Sequence, residues 1–230
     1  MRPTVLLFDI DGTLLDTGGA GRRAVDRAFQ ELHGRPEACR GFSFDGMTDR
    51  GIVRLGLQAI DAPVSDAAID ELLSRYVACL EESVRLVPDE RYRVHAGMRE
   101  AVEAARAHGM AVGLGTGNIR EGARVKLERV GLFEKFSFGG FGDDHELRAE
   151  LIRRGAERGA KQLGVALGDA RVVVIGDTPK DVSAAQAIGA ESIGVATGGY
   201  TSEQLRASGA TRVFETLADA GAMTVLISGA

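Results

Sequence analysis

A short apolar run near the amino terminus ends in two aspartates. Residues 5–8 read Val-Leu-Leu-Phe, and Asp9, Ile10 and Asp11 follow directly. A short apolar run bounded by polar residues is typical of a strand that is buried on both faces of a parallel sheet. Open parallel sheets bind their ligands at the carboxyl ends of the strands. The pattern therefore predicts a buried strand that presents two carboxylates at the functional edge of a sheet.

Two further apolar runs, at 111–115 and 172–176, end in polar residues in the same way. The residues of interest that follow them are Thr116, Gly117, Asn118, Asp177 and Asp181. Because parallel strands end at one edge of their sheet, we expect these groups to lie close to Asp9 and Asp11. Strand and helix patterns alternate along most of the chain, which predicts an α/β fold with a Rossmann-like, mostly parallel sheet.

A long helical segment interrupts this alternation after the first strand. It shows helical periodicity at 22–32, 51–60 and 65–86. Such a segment is long enough to bury a small apolar core, and the glycines at its start permit the dihedral changes of a moving lid. The sequence therefore predicts two domains, an α/β core domain at 1–16 and 90–230 and an inserted α-helical cap domain at 17–89.

Shorter patterns complete the expected elements. Ser65 is predicted to cap the last helix of the cap. In the core we expect helices at 98–108, 120–130, 146–163, 181–188 and 202–208, and strands at 136–138, 192–196 and 211–214.

Composition and charge exclude several classes of protein. The 230 residues carry a formal net charge of −5 with acidic and basic residues interleaved, which gives no basic stripe for nucleic acid. The first apolar run is far shorter than the roughly 20 residues that cross a membrane. Cys39 and Cys79 are isolated and are expected to be buried free thiols. We expect a cytoplasmic monomer or homodimer that binds a small molecule, and neither nucleic acid nor a membrane.

Several carboxylates at one edge of a sheet need a cation. Two negative charges about 4 Å apart repel by roughly 4 kcal/mol at an effective dielectric constant near 20. The motifs offer only oxygen ligands, which favours Mg²⁺ over zinc. An EF-hand calcium loop fits less well, because its fifth and sixth positions would be Thr13 and Leu14. The predicted metal ligands are Asp9, Asp11, Asp177 and Asp181.

A phosphate group is the ligand that such a site suits, because Mg²⁺ commonly joins a few carboxylates to a phosphate. The Thr116 hydroxyl and the amides of Gly117 and Asn118 suit the remaining phosphate oxygens. Asp9 is then also a nucleophile that can form an aspartyl-phosphate. Asp11 can protonate the leaving alcohol and later deprotonate the attacking water. The residues themselves thus predict hydrolysis of a phosphate ester, with a basic residue to complete the site.

The ordered set of motifs resembles the haloacid dehalogenase superfamily. D-x-D-G-T stands at 9–13, a threonine follows the second strand at 116, and G-D-x-x-x-D stands at 176–181. The helical insertion is similar to the cap of the subgroup that contains phosphoglycolate phosphatases and β-phosphoglucomutases. The resemblance implies that Asp9 is the nucleophile and Asp11 the acid and base. It implies that Thr116 binds the phosphate, that Asp177 binds the metal and that Asp181 supports the metal site.

The same resemblance suggests which cap residues face the substrate. The loop at 44–49 looks like the cap loop that the subgroup turns towards its substrate. Residues at its end, Thr48, Asp49 and Arg50, are therefore candidates for substrate recognition. Arg22 and Arg23 are further basic residues of the cap that can meet a substrate carboxylate.

The basic residue of the phosphate site departs from the family pattern. The family usually has a lysine at the start of the helix before its last acidic motif, and Arg148 stands at the matching place. Arginine can neutralise a phosphate with two hydrogen bonds, although its geometry differs from that of lysine. Lys161 is the competing candidate, but it lies late in the same predicted helix. Arg148 is the stronger candidate.

These observations predict a Mg²⁺-dependent phosphatase for a small phosphomonoester, with phosphoglycolate or a sugar phosphate as the substrate. Dehalogenases of the superfamily typically lack Asp11, and its phosphonate hydrolases need a cap lysine, whereas Lys126 is the first lysine of the chain. A phosphosugar mutase remains an alternative, as does a catalytically silent protein that binds a phosphorylated ligand. A receiver domain fits less well, since it has no cap.

Overall fold

A computed structural model describes residues 2–229 as an α/β fold with helices on both faces of a parallel sheet. The strands are β1 (Thr4–Phe8), β2 (Leu15–Asp16), β3 (Arg93–Val94), β4 (Ala111–Gly115), β5 (Gly139–Gly140), β6 (Arg171–Gly176), β7 (Glu191–Val195) and β8 (Arg212–Phe214). The helices are α1 (Ala20–His33), α2 (Asp49–Ala59), α3 (Asp66–Leu86), α4 (Met98–Ala107), α5 (Arg120–Glu128), α6 (Arg148–Leu163), α7 (Pro179–Ala187), α8 (Ser202–Ala207) and α9 (Ala222–Ser228).

The main sheet has six strands in the order β5-β4-β1-β6-β7-β8, and all neighbouring strands are parallel. β1 lies between β4 and β6, with Leu7 opposite Gly113 on one side and Val174 on the other. The three strands that carry the predicted motifs are therefore neighbours, and their carboxyl ends meet at one edge. The predicted α/β class with a mostly parallel sheet is confirmed.

Both faces of the sheet are covered, as the uninterrupted apolar runs predict. Along β1, Leu6 and Phe8 are buried in the apolar cluster on one face, whereas Val5 and Leu7 are buried in the cluster on the other. Helices α6 and α7 cover the second face. Alternate side chains of a strand point to opposite faces, so both sets have to be apolar.

The described residues between β2 and β3 form the helices α1, α2 and α3, a short 3₁₀ turn at Asp89–Arg91 and connecting loops. β2 and β3 form a small antiparallel ribbon where the chain leaves the core and returns. Buried residues of the inserted helices, such as Phe29, Leu72 and Tyr76, belong to the same apolar cluster as Phe8 of β1. The insertion thus shares its apolar core with one face of the sheet. The division into a core and a cap at 17–89 stays a prediction.

Several local predictions are confirmed and one is wrong. Ser65 caps α3, since its side chain accepts a hydrogen bond from the Ala68 amide, and both cysteines are buried free thiols. The strand predicted at 136–138 lies instead at Gly139–Gly140, where α6 packs so closely that a Cβ on Gly140 would overlap the Leu151 carbonyl. Helix α9 was not predicted. None of the described helices has the length and hydrophobicity needed to cross a membrane.

Candidate active site

A cavity of about 330 Å³ lies at the carboxyl edge of the sheet, beneath the inserted helices. Its floor is formed by the ends of β1, β4 and β6, which contribute Asp9, Asn118 and Asp177. The cap side contributes residues of α1 and of the loop before α2, among them Arg22 and Met47. The predicted convergence of strand ends is therefore present, and the cap encloses it.

Three carboxylates form the most buried part of the site. Asp9, Asp177 and Asp181 each offer an oxygen atom, and these atoms lie within 4.8 Å of one another. Their exposed fractions are 5%, 3% and 1%. Local structure holds them, because the Thr13 hydroxyl donates to Asp177 at 2.8 Å and the Thr178 amide donates to Asp181 at 3.0 Å.

The glycine after the D-x-D pair has a steric reason. Gly12 adopts a φ of +79°, which disfavours other residues, and a Cβ at this position would overlap the Asp177 carboxylate. The backbone of the first motif therefore passes directly against the side chain of the last one. This contact explains why D-x-D is followed by glycine in this chain.

The carboxylate cluster carries more negative charge than the protein itself compensates. Within residues 2–229, Arg148 is the cation that pairs with it, which leaves two negative charges when all three aspartates are ionised. Burial, together with Asp181 and Asp11, raises the pKa of Asp9 to about 6 in spite of Arg148. Burial and the neighbouring Asp181 and Asp9 likewise raise the pKa of Asp177. An all-oxygen donor set with this excess charge fits a divalent cation such as Mg²⁺.

Arg148 occupies the first position of α6 and faces the carboxylates. Its Nε and Nη2 atoms donate to Asp181 Oδ1, the former at 2.9 Å, and Nη2 lies 3.0 Å from Asp9 Oδ2. Its side chain is 8% exposed. Lys161 is exposed thirteen residues further along α6, which is about 20 Å at the rise of an α-helix. The structure thus brings Arg148 into the site and leaves Lys161 outside it.

Asp11, the fourth predicted metal ligand, lies beside the carboxylate cluster and has partners of its own. Its carboxylate lies outside the three-carboxylate cluster and accepts hydrogen bonds from Asn118 Nδ2 at 2.8 Å and Lys126 Nζ at 2.6 Å. The side chain is 44% exposed. Partial desolvation raises the pKa of this carboxyl, but the Lys126 charge and the two hydrogen bonds outweigh it and hold the pKa below its ordinary value. The two donors hold the Asp11 carboxylate apart from the other three, and its assignment as a metal ligand stays a prediction.

The predicted phosphate ligands lie at the end of β4. Thr116 is fully buried, and its hydroxyl accepts hydrogen bonds from the amide and from the side chain of Asn118. Gly117 and Asn118 line the cavity. A Cβ on Gly117 would overlap the Met47 carbonyl, so the cap loop and the β4 loop are in backbone contact.

Two of the three cap candidates lie at this contact. The Asp49 amide donates to the Gly117 carbonyl at 2.8 Å, and the Asp49 carboxylate accepts from the Ile119 amide at 2.8 Å. Burial raises the pKa of Asp49 to about 6 despite the Lys126 charge. Thr48 caps α2 through the Gly51 amide. Asp49 lines the cavity, and Thr48 supports the loop behind it.

Arg50 points elsewhere. Its guanidinium forms ion pairs with Asp70 at 2.5 Å and with Asp66 at 3.1 Å, and it lines a separate groove on the outside of the cap. Successive residues of α2 point about 100° apart, so that Asp49 and Arg50 cannot both face the cavity. Arg50 is therefore not part of the candidate site.

Lys126 is the site residue that sequence reasoning missed. It lies in α5, is 3% exposed and lines the cavity between Asp11 and Asn118. The helical spacing could have indicated it, because Lys126 follows Gly122 by four residues and Ala123 by three and so lies on the buried face of α5. A lone charged residue at an apolar helical position calls for a buried partner.

Comparisons with known proteins show that the fold and the site are those of a class of hydrolases. A family model described as haloacid dehalogenase-like hydrolase matches residues 3–189. The chain therefore belongs to the haloacid dehalogenase-like hydrolase family, as the motifs predicted.

Individual relatives agree with this assignment. The chain is 27% identical over 228 residues to a protein named probable phosphatase IndB from Dickeya dadantii, covering 95% of this chain and 92% of that protein. It is 28% identical over 207 residues to a phosphoglycolate phosphatase from Pseudomonas putida, covering 85% and 70%. The crystal structure of CbbY from Rhodobacter sphaeroides in complex with phosphate superposes with a TM-score of 0.72 at 18% identity, covering 96% and 97% of the two chains.

Proposed function

We propose that this protein is a Mg²⁺-dependent phosphatase that hydrolyses a small phosphomonoester through an aspartyl-phosphate on Asp9. The observation that carries the proposal is the division of the acidic residues. Asp9, Asp177 and Asp181 form one buried cluster with Arg148, whereas Asp11 is held apart by its own donors. A nucleophile and a proton carrier are thus present with separate partners, as covalent phosphoryl transfer requires.

Asp9, Asp177 and Asp181 would hold the Mg²⁺ ion, which supplies positive charge for the phosphate oxygens when it is bound. An oxygen of Asp9 attacks the phosphorus atom, and the bond between phosphorus and the ester oxygen breaks. The negative charge of the bound ester raises the pKa of Asp11, so that Asp11 takes up a proton on binding and gives it to that oxygen, and the product leaves as an alcohol. Asp11 then takes a proton from water, and the resulting hydroxide attacks the phosphorus of the aspartyl-phosphate. Inorganic phosphate leaves and Asp9 is restored.

Three groups of the chain stabilise the phosphate during these steps. Arg148 is a buried cation next to Asp9 and compensates the charge of the equatorial oxygens. The Thr116 hydroxyl and the loop at Gly117 lie at the end of the neighbouring strand. The cap loop covers the cavity through the hydrogen bonds of Asp49, which excludes bulk water from the intermediate.

The cavity favours a small substrate. Its volume of about 330 Å³ is near the lower end of the range for ligand pockets, which is roughly 300–1,000 Å³. Arg22 lines the cap side, where the carbonyls of Cys39 and Phe42 accept its hydrogen bonds and its guanidinium lies 3.6 Å from the centre of the Phe44 ring. This fixed cation suits a second polar or anionic group of the substrate. Phosphoglycolate and sugar phosphates are therefore the first candidates, and the named activity of the Pseudomonas putida relative supports the former.

Two observations bear on the alternatives and on the compartment. The mutases of the subgroup carry a basic residue soon after the glycine of the cap loop, and Arg50 is the residue of this chain nearest to that place. Arg50 pairs with Asp66 and Asp70 outside the cavity, which favours a hydrolase over a mutase. The free buried thiols Cys39 and Cys79 agree with a reducing compartment such as the cytoplasm.

Phosphate release from a panel of small phosphomonoesters tests the proposal. The panel contains phosphoglycolate and sugar phosphates and is measured with Mg²⁺ and with EDTA, for the wild type and for Asp9→Asn. Asp61→Asn is the matched control, because Asp61 is exposed and has a φ of +53°, which asparagine also adopts. We expect Mg²⁺-dependent release in the wild type and the control, none in Asp9→Asn, and a phosphoryl adduct on Asp9 by rapid-quench mass spectrometry. Failure of every ester would contradict the proposal and favour a binding protein.

A further inference from the structure

Lys126 is a buried cation to which the proposed reaction gives no task. It projects from α5, and its Nζ lies 2.6 Å from both Asp11 Oδ2 and Asn118 Oδ1. Its side chain is 4% exposed. The site therefore contains two buried cations with different partners, since Arg148 contacts Asp9 and Asp181.

The Lys126 ammonium determines which way the Asn118 amide points. An ammonium group has three donors and no acceptor, so the atom of Asn118 that faces it has to be the oxygen. The amide nitrogen then faces the opposite way, where it lies 2.8 Å from Asp11 Oδ2 and 2.9 Å from Thr116 Oγ1. Both hydrogens of the amide are thus used.

The Asn118 amide in turn determines what the Thr116 hydroxyl can do. A hydroxyl oxygen has two lone pairs and one proton. The lone pairs of Thr116 accept from the Asn118 side chain at 2.9 Å and from the Asn118 backbone amide at 3.2 Å. The proton is left to donate, and an anionic oxygen of a bound phosphate is a suitable acceptor. One ammonium group therefore orients both a carboxylate and a hydroxyl.

We propose that Lys126 is a positioning residue, which holds Asp11 in place for proton transfer and, through Asn118, keeps the Thr116 hydroxyl as a donor to the substrate phosphate. The inference rests on the proposed phosphatase function and adds a residue to it. Without the ammonium, Asp11 loses its closest partner and the Asn118 side-chain oxygen loses its donor, so the amide that binds both Asp11 and Thr116 is no longer anchored. Both changes misplace groups that the reaction uses.

Lys126→Met tests this inference, because methionine fills a similar volume without the charge. Lys161→Met is the matched control, since Lys161 is an exposed helical lysine outside the site. For both variants, kcat/KM is measured with an alkyl phosphate and with p-nitrophenyl phosphate, whose leaving group needs no proton. The affinity for inorganic phosphate in the presence of Mg²⁺ is measured by calorimetry, and the unfolding midpoint is recorded.

For Lys126→Met we expect kcat/KM to fall about 100-fold with the alkyl ester and about 10-fold with the aryl ester, because only the former depends on the proton from Asp11. The affinity for inorganic phosphate should fall about 10-fold, because the Thr116 donor is no longer oriented. Lys161→Met should match the wild type. Lys126→Ala with added propylammonium should recover part of the alkyl-ester activity, since the amine replaces the missing cation.

Other results overturn the inference. Equal losses with both esters together with a lower unfolding midpoint would show that Lys126 is only structural, and values within threefold of the wild type would show that it is dispensable. The phosphate-binding measurement separates this inference from the proposed function. If the wild type hydrolyses no ester, the proposed function fails, and an unchanged phosphate affinity in Lys126→Met then overturns the inference as well, whereas a tenfold loss upholds the orienting role.

Discussion

Replacement of Arg148 by methionine should destabilise the metal-free protein strongly. The Arg148 side chain is 8% exposed, and its partners Asp9 and Asp181 are 7% and 1% exposed. Removal of one member of a buried ion pair costs roughly 3–5 kcal/mol, because the other charge stays buried without compensation. In a chain of this length 1 kcal/mol corresponds to roughly 2–4 °C in the unfolding midpoint. We therefore expect a decrease of about 6–20 °C in EDTA.

The decrease should depend on pH and on the cation. Asp9 has a pKa of about 6 in the folded protein, and loss of the Arg148 charge raises it further. Below pH 6 the carboxyl can take up a proton and relieve the repulsion, so the difference between variant and wild type should increase from pH 5 to pH 8. Mg²⁺ should restore more stability to the variant than to the wild type, since it supplies charge to the same carboxylates.

Thermal unfolding followed by circular dichroism at pH 7.5, with EDTA and then with Mg²⁺, measures these effects. Arg148→Lys is the control, because it keeps a positive charge at the same place and should lose less than half as much stability. A midpoint within 3 °C of the wild type for Arg148→Met in EDTA would refute the reasoning, since the three carboxylates could not then be both buried and ionised.

Three further predictions follow from the site. Asp49→Asn should raise the unfolding midpoint at pH 7.5 and flatten its pH dependence. The folded pKa of Asp49 is about 6 instead of 3.8, so the wild type loses about 3 kcal/mol of folding free energy as pH rises through 6. An unchanged pH profile of unfolding would contradict this. Gly117→Ala should lower kcat/KM at least about 10-fold by displacing the cap loop. Gly168→Ala is the control and should retain wild-type kinetics, because a Cβ there would meet nothing within 4 Å. Equal kinetics of the two variants would show that the loop contact is unimportant. In the wild type, Mg²⁺ at 100 times its dissociation constant should stabilise the fold by about 2.7 kcal/mol, and calorimetric unfolding should show this increment lost in Asp177→Asn; an increment that persists would place the metal elsewhere.

The elements whose information is local could be predicted from the sequence. The apolar runs that became β1, β4 and β6 are short, continuous and followed by polar residues, and burial of both faces of a parallel sheet requires that pattern. Asp9 and Asp177 were found for the same reason, since each stands directly after such a run. Helix α3 was recognisable from its periodicity and from Ser65 at its N-cap.

Other elements depend on contacts between distant parts of the chain. The strand after Phe138 consists of Gly139 and Gly140, and its place is set by the close packing of α6, which leaves no apolar run to recognise. Helix α9 is short, and Leu226 carries a carbonyl that accepts a hydrogen bond from Arg171 of β6. Sequence periodicity over seven residues is too short to distinguish such a helix from a strand or a loop.

The sequence by itself thus determined the strands that end at the functional edge, the acidic and polar residues that follow them, and the family, because residues directly after a buried parallel strand lie at the carboxyl edge of its sheet. Only the tertiary structure decided which of these residues share a partner. The Asp11 carboxylate lies apart from those of Asp9, Asp177 and Asp181 because Lys126, more than a hundred positions away in sequence, binds it. Arg50 faces away from the cavity because it pairs with Asp66 and Asp70. A charged side chain pairs with the opposite charge that lies nearest in space, and the spacing of residues along the chain does not give that distance.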